Sequence, residues 1–241
     1  VMLGPVAALV ADAPVVVVPP ARLHAVPWAL LPALRAAPTV VAPSAATWLR
    51  AGHLAAPRQR RVVLVAGPGL TGSVEEIRQI AHRYPDSVVL ADGRATADAA
   101  LAALDGAWTA HVAAHGSFRS DNPLFSALSL DDGPLTVYDL CRLRRAPRRL
   151  ILSSCESGVA APVAADELLG VVTALVPLGM ASLLASVVPV NDGAAAPLMV
   201  DLHDRLRVGR SFGDALHAVR EGAAGDPVAV ATALSFVALG Q

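Results

Sequence analysis

A chain of 241 residues with 19 basic and 20 acidic side chains, hence a formal net charge of -1, is not built to bind nucleic acid through a general positive surface. Apolar residues make up 54% and aromatics only 4%, which fits a sheet covered on both faces by Ala-rich helices better than an antiparallel sandwich. All the basic residues are Arg, a usage that reads as coding bias, and two cysteines, Cys141 and Cys155, cannot make a disulfide framework. A reducing, cytoplasmic setting is expected, since no basic segment precedes an apolar stretch with a cleavage site. The opening Val1 suggests a piece of a longer protein, with residues 1–241 forming a single domain toward its C-terminal end.

Short apolar runs alternate with helical patterns along the chain. Strands are predicted at 15–18, 39–42, 62–66, 87–91, 109–113, 149–153 and 182–186. Helices are predicted behind Ser44, Ser73 (with Glu76 completing a capping box), Thr96 and Ser211. This alternation predicts a three-layer α/β/α fold with a mostly parallel sheet. Asp131-Asp132-Gly133 reads as a hairpin turn at the rim between 127–130 and 134–136. Residues 168–190 carry no charge, but Pro177, Gly179 and Pro189 break them into a buried helix, a turn and a strand rather than a membrane span.

Two strand ends carry the chemistry. His111-Val112-Ala113-Ala114-His115-Gly116 and Leu152-Ser153-Ser154-Cys155-Glu156-Ser157-Gly158 each follow an apolar run. In an open parallel sheet the crevice lies outside the carboxyl ends of the strands, so neighbouring strands ending in His115 and Cys155 would bring imidazole and thiol to one cleft. Nucleophilic use of a thiol needs a base within reach and donors for the developing oxyanion. His115 supplies the base. Gly116, without a side chain, lets its N–H approach a tetrahedral intermediate beside the N–H of Cys155. The bland alternative is a satisfied core histidine and an inert cysteine.

Other signals compete. Gly67-Pro68-Gly69-Leu70-Thr71-Gly72 follows a strand, opens a helix and is followed by Asp92, the context of a dinucleotide site. Against a nicotinamide-dependent oxidoreductase stand the stiff Pro68 and the carboxylate of Glu76 where a phosphate would lie. His111 and His115 lack a further acidic or cysteine ligand, so no metal is expected. Ser153 and Ser154 invite a serine-hydrolase reading, but no G-x-S-x-G elbow is present. Arg142, Arg144, Arg145, Arg148 and Arg149 read as a solvated edge without aromatic interleaving. Cys141 is expected to pack in a helical turn. His24, His53, His82, His203 and His217 are read as isolated surface residues.

Residues 111–240 resemble the CHAT family, caspase-like peptidase domains often found behind tetratricopeptide repeats in bacteria. The segment 111–116 is similar to that family's H-F-A-T-H-G, Asn122-Pro123-Leu124-Phe125-Ser126-Ala127-Leu128 to its N-P-x-x-S-x-L, Leu135-Thr136-Val137-Tyr138-Asp139-Leu140 to its L-T-x-x-D-L, and 152–158 to its L-S-A-C-E-T-G. Residues 179–186 and Val190-Asn191-Asp192 follow the later motifs. His115 precedes Cys155 by 40 residues, close to the caspase spacing of about 50. The resemblance implies a caspase-hemoglobinase fold with His115 as general base and acid, Cys155 as nucleophile, and Gly116 with the Cys155 amide as oxyanion donors. It also implies a substrate pocket near the loop holding Asp192, where an acidic group favours a basic side chain. Departures fall at Val188, at Ala165-Asp166-Glu167 and at Ala233-Leu234-Ser235-Phe236; they spare the dyad and touch the pocket walls. The expected activity is a cysteine endopeptidase that cuts a specific protein or peptide substrate under control of an attached or partner module. No cofactor, nucleic acid or membrane is expected. The alternative on the same fold is a signalling or scaffold module that has lost turnover.

Overall fold

The computed structural model describes residues 3–10, 13–20, 23–24, 26–57, 59–70, 72–117, 119, 121–153, 165–188, 190 and 192–241. One eight-stranded sheet runs in the order β1 (Val15–Val17), β2 (Thr39–Val41), β11 (Phe236–Gly240), β10 (Ser182–Ser186), β9 (Arg149–Leu152), β5 (Thr109–Ala113), β3 (Val62–Ala66) and β4 (Val88–Leu90). Every neighbouring pair is parallel except β10 with β11. The strands β4, β3, β5, β9 and β10 therefore end on one common edge, and β11, β2 and β1 run the other way.

Buried on both faces, the central strands alternate between two apolar layers. Val63, Val65, Ala110, Val112, Leu150 and Leu183 meet α4 (Ala97–Leu104), α5 (Val137–Leu140) and α6 (Ala165–Leu175) through Ala100, Leu104, Leu140, Val171 and Leu175. Leu64, Ala66, Ala113, Ile151 and Leu184 meet α3 (Ser73–Ala81), α7 (Asp192–Arg207), α8 (Phe212–Gly222) and α9 (Pro227–Ser235) through Ile77, Ile80, Met199, Leu202, Phe212, Leu216 and Ala233. Each fully buried large aliphatic or aromatic side chain here contributes about 2 kcal/mol. The sheet between two helical layers is the expected architecture.

Local chemistry sets the helix starts. Ser44, Thr96 and Ser211 accept from the amides of Thr47, Ala99 and Asp214, in line with the capping signals. The capping box at Ser73 does not form. Gly72, at φ +92°, is the N-cap of α3, Ser73 Oγ donates to the Leu70 carbonyl at 3.0 Å, and Glu76 is buried. The left-handed turn at Gly72 moves the helix start one residue back, so Glu76 falls on the inner face. The helix, turn and strand expected across 168–190 form as α6 and β10, and among the described residues no helix is long and apolar enough to cross a membrane.

Over the carboxyl edge lies a small antiparallel sheet of β6 (Gly116–Ser117), β7 (Ala127–Leu130) and β8 (Gly133–Thr136). The hairpin expected at 131–133 is present, and two carboxylates anchor it. Asp131 accepts from the Ala95 amide and Asp132 from the Ala97 amide, both at 2.8 Å, tying the rim to the start of α4. Strand β11 has no counterpart among the sequence expectations, because the apolar run 227–240 has no turn residue to divide α9 from the strand that follows it.

Candidate active site

The chain passes from β3 outward to β4 and then returns to β5 on the other side of β3, so the loops after β3 and β5 flank the reversal point where open α/β sheets bind ligands. His115 stands two residues past β5, and its carbonyl accepts from the Ser129 amide at 2.8 Å, which fixes the turn from the large sheet into β6. Beside it lies the glycine-rich turn. Gly67 donates its N–H to the Ala113 carbonyl at 2.8 Å. A Cβ at Gly67 would sit 2.5 Å from the Ser129 carbonyl oxygen and 2.6 Å from Ala114 Cβ. At Gly69, φ +74°, the same atom would lie 3.7 Å from His115 Nε2. Gly67 is accounted for by the close approach of the strand end that carries His115, and Gly69 by its left-handed backbone, without a pyrophosphate. Asp92 pairs with Arg78 at 3.2 Å, with both side chains more than half exposed.

Gly116 is buried and opens β6 opposite Leu128. Cys155 lies outside the described residues. The strand that leads to it is described through Leu152 and Ser153. Asp192 is the first residue of α7, so its backbone begins a helix rather than standing in a loop, on the edge where β10 ends.

A buried polar cluster is absent from the sequence expectations. His111, fully buried, occupies the apolar row between Leu64 on β3 and Ile151 on β9. Its Nε2 lies 2.8 Å from Ser153 Oγ and 2.8 Å from Glu76 Oε1, and its Nδ1 lies 2.9 Å from His203 Nε2. His203 Nδ1 in turn lies 3.1 Å from Tyr84 Oη, which donates to the His203 carbonyl at 3.3 Å. The expectation of an isolated surface His203 is thus wrong. It is fully buried on α7, four residues after Met199 and so on the helix's buried face. That periodicity is the signal in the sequence that could have found it. His24 is likewise buried.

Desolvation, with smaller contributions from His111 and Arg83, holds His203 well below its ordinary 6.5. Burial pushes Tyr84 up to about 12, keeping it a phenol. The unfolded chain protonates His203 near its ordinary value and the folded chain does not. Stability is therefore expected to fall as the pH drops below about 6.5. In His203→Gln that decline becomes shallower, as denaturant titrations at several pH values would show.

Cys141 is exposed rather than packed, because α5 ends at Leu140 and turns its cap to solvent. The Arg cluster lies at the opposite, amino edge of the sheet and is less free than expected. Arg144 pairs with Asp105 at 2.8 Å, Arg148 donates to the Leu54 carbonyl at 2.7 Å, and Arg60, Arg148 and Arg149 surround the Trp108 ring at 5.0 to 5.5 Å.

A sheet of this order, with a histidine at the reversal point, defines a caspase-like α/β fold. Residues 1–230 match the CHAT domain, and the chain belongs to that family. No curated protein matches the sequence. Among solved structures, a chain of the Saccharomyces cerevisiae separase-securin complex superposes with a TM-score of 0.67 at 14% identity, over 93% of this chain and 15% of that one. The Arg-specific cysteine proteinase gingipain R superposes with a TM-score of 0.52 at 13% identity, over 75% of this chain and 45% of its own. The complex of pro- and mature domains of the Porphyromonas gingivalis enzyme gives 0.52 at 14% identity, over 76% and 47%. The protein spans less than half the length of each of these chains and shares their fold.

Proposed function

We propose that this CHAT domain is a cysteine endopeptidase in which His115 and Cys155 form the catalytic pair. The observation that carries the reading is the register of two adjacent strands. Thr109 pairs with Arg149 and Val112 with Leu152, an offset of 40 residues, and His115 and Cys155 are separated by the same 40 residues. In sequence His115 follows the end of β5 by two residues and Cys155 follows the end of the neighbouring β9 by three. Within the two strands the odd-numbered positions, Ala113 and Ile151 among them, share one face.

His115 takes the thiol proton, and the Cys155 thiolate attacks the peptide carbonyl carbon. The oxyanion accepts from the N–H groups of Gly116 and Cys155. Support for Gly116 comes from its ladder. Ser129 donates to the His115 carbonyl at 2.8 Å, so in the alternation of an antiparallel pair Gly116 is a non-hydrogen-bonded position whose N–H points away from β7. The C–N bond then breaks as His115 returns its proton to the amine, leaving a thioester. Water, deprotonated by His115, hydrolyses the thioester and restores the thiol. Asp192 at the head of α7 would favour a substrate with a basic side chain before the cleaved bond. A protein substrate and control by an attached or partner module complete the reading.

A peptide acyloxymethyl ketone with Arg in the first position is expected to label Cys155 much faster than the exposed Cys141, and mass spectrometry of the digested adduct locates it. Equal labelling of the two thiols would reject the peptidase and favour a module that keeps the fold without turnover.

A further inference from the structure

Ser153 is two residues before Cys155, and the bonds that hold it run in a single file through the lower layer of the molecule. The direction of each proton follows from the far end. Tyr84 gives its hydrogen to the His203 carbonyl, so its oxygen accepts from His203 Nδ1–H. His203, neutral through burial, then accepts at Nε2 from His111 Nδ1–H. His111 Nε2 is left facing two groups at 2.8 Å, the Ser153 hydroxyl and Glu76 Oε1. It accepts from the Ser153 hydroxyl. Glu76 Oε1 lies beside it without a hydrogen-bond partner. Arg83, ion-paired with Asp204 at 2.8 Å, is a further charge that acts on His203.

Serine, histidine and histidine in this order also match the pattern of a nucleophile, a base and its orienting group. Burial argues against that use. Ser153 is 4% exposed and both imidazoles are fully buried beneath α3 and α7, so no acyl group reaches the hydroxyl. The file sits instead where Leu64, Ile151 and Leu202 make an apolar layer, and hydrogen bonds between buried groups in such a layer favour the one arrangement of the elements that lets them form.

We propose that Ser153, His111 and His203 form a positioning relay that fixes the end of β9, and with it the direction in which the chain leaves toward Cys155. The proposal rests on Cys155 being the nucleophile. Tyr84, beyond the end of α3, closes the file through His203 Nδ1.

The test compares Ser153→Ala and Ser153→Thr with the unmodified chain. Iodoacetamide alkylation of Cys155 is followed from about pH 5 to 9, a range that brackets ordinary and activated thiols, with Cys141 as internal reference. Amide hydrogen exchange is followed in the peptide that spans the end of β9. Ser153→Ala is expected to slow Cys155 alkylation about tenfold or more, displace its pH profile and hasten exchange, with Cys141 unchanged; Ser153→Thr, which keeps the hydroxyl, restores all three. An unchanged profile and exchange in Ser153→Ala, or a Ser153→Thr variant as impaired as Ser153→Ala, would overturn the relay. If Cys155 in the unmodified chain reacts no faster than Cys141, the peptidase reading fails. Exchange at the strand end then still decides the relay, upheld if faster in Ser153→Ala and overturned if not. Labelling of Ser153 by a fluorophosphonate would overturn it as well, by making the serine itself a nucleophile.

Discussion

Cys155→Ala is expected to abolish peptide cleavage, and His115→Ala to lower kcat/KM by about 10²- to 10⁴-fold, the range that a positioned general base supplies. The two losses differ in kind. Without the thiol no acyl-enzyme forms, so neither turnover nor probe adduct survives. Without the imidazole the thiol loses the base that makes its thiolate near neutral pH, so His115→Ala should recover part of its labelling as the pH rises through the range of a free thiol. A pooled library of randomised peptides, with the cut products sequenced by mass spectrometry, reads the cleavage site directly, and cleavage after Arg or Lys is the pattern expected if Asp192 reads the side chain. The double variant should be no worse than Cys155→Ala alone, because residues that act as one unit are not additive. Cleavage undiminished in Cys155→Ala would end the assignment.

The sequence is most legible where one physical rule acts alone. β3, β5 and β10 fall on the predicted residues, since each is a short, largely apolar run with Gly or Pro close by in the sequence. Helices behind Ser44, Thr96 and Ser211 are legible because a side-chain oxygen caps each one. Failures occur where tertiary contacts override the local rule. Glu76 stands at the right spacing for a capping box, yet α3 turns it inward, where its Oε1 is buried 2.8 Å from His111 Nε2 on β5. Gly67 and Gly69 imitate a phosphate loop, yet Gly67 is crowded by β7 and the residue after β5, and Gly69 faces the His115 ring in ordinary contact. The polar file through His111 joins residues 84, 111, 153 and 203, a set that only folding brings together.

Gly67→Ala is the second substitution with a large expected effect, and its size follows from what the new methyl would meet. Both clashing neighbours, the Ser129 carbonyl oxygen at 2.5 Å and Ala114 Cβ at 2.6 Å, are backbone or fixed to it, so no flexible side-chain tip can swing aside. The turn cannot retreat either, because Gly67 is held to the Ala113 carbonyl at 2.8 Å. Overpacking of this type costs about 1–3 kcal/mol, and loss of the amide bond adds about 1 kcal/mol. For a chain of this size that corresponds to a Tm lowered by about 4–16 °C. Gly93, at φ +85° with open space around it, is the control. Gly93→Ala meets only the left-handed backbone penalty, about 1 kcal/mol, and should melt within a few degrees of the unmodified protein. The displaced atoms at Gly67 also frame His115, so Gly67→Ala is expected to lower probe labelling at Cys155 even well below its Tm, whereas Gly93→Ala is not. Equal melting of the two variants would show that the glycine-rich turn is not packed against the strand end that carries His115.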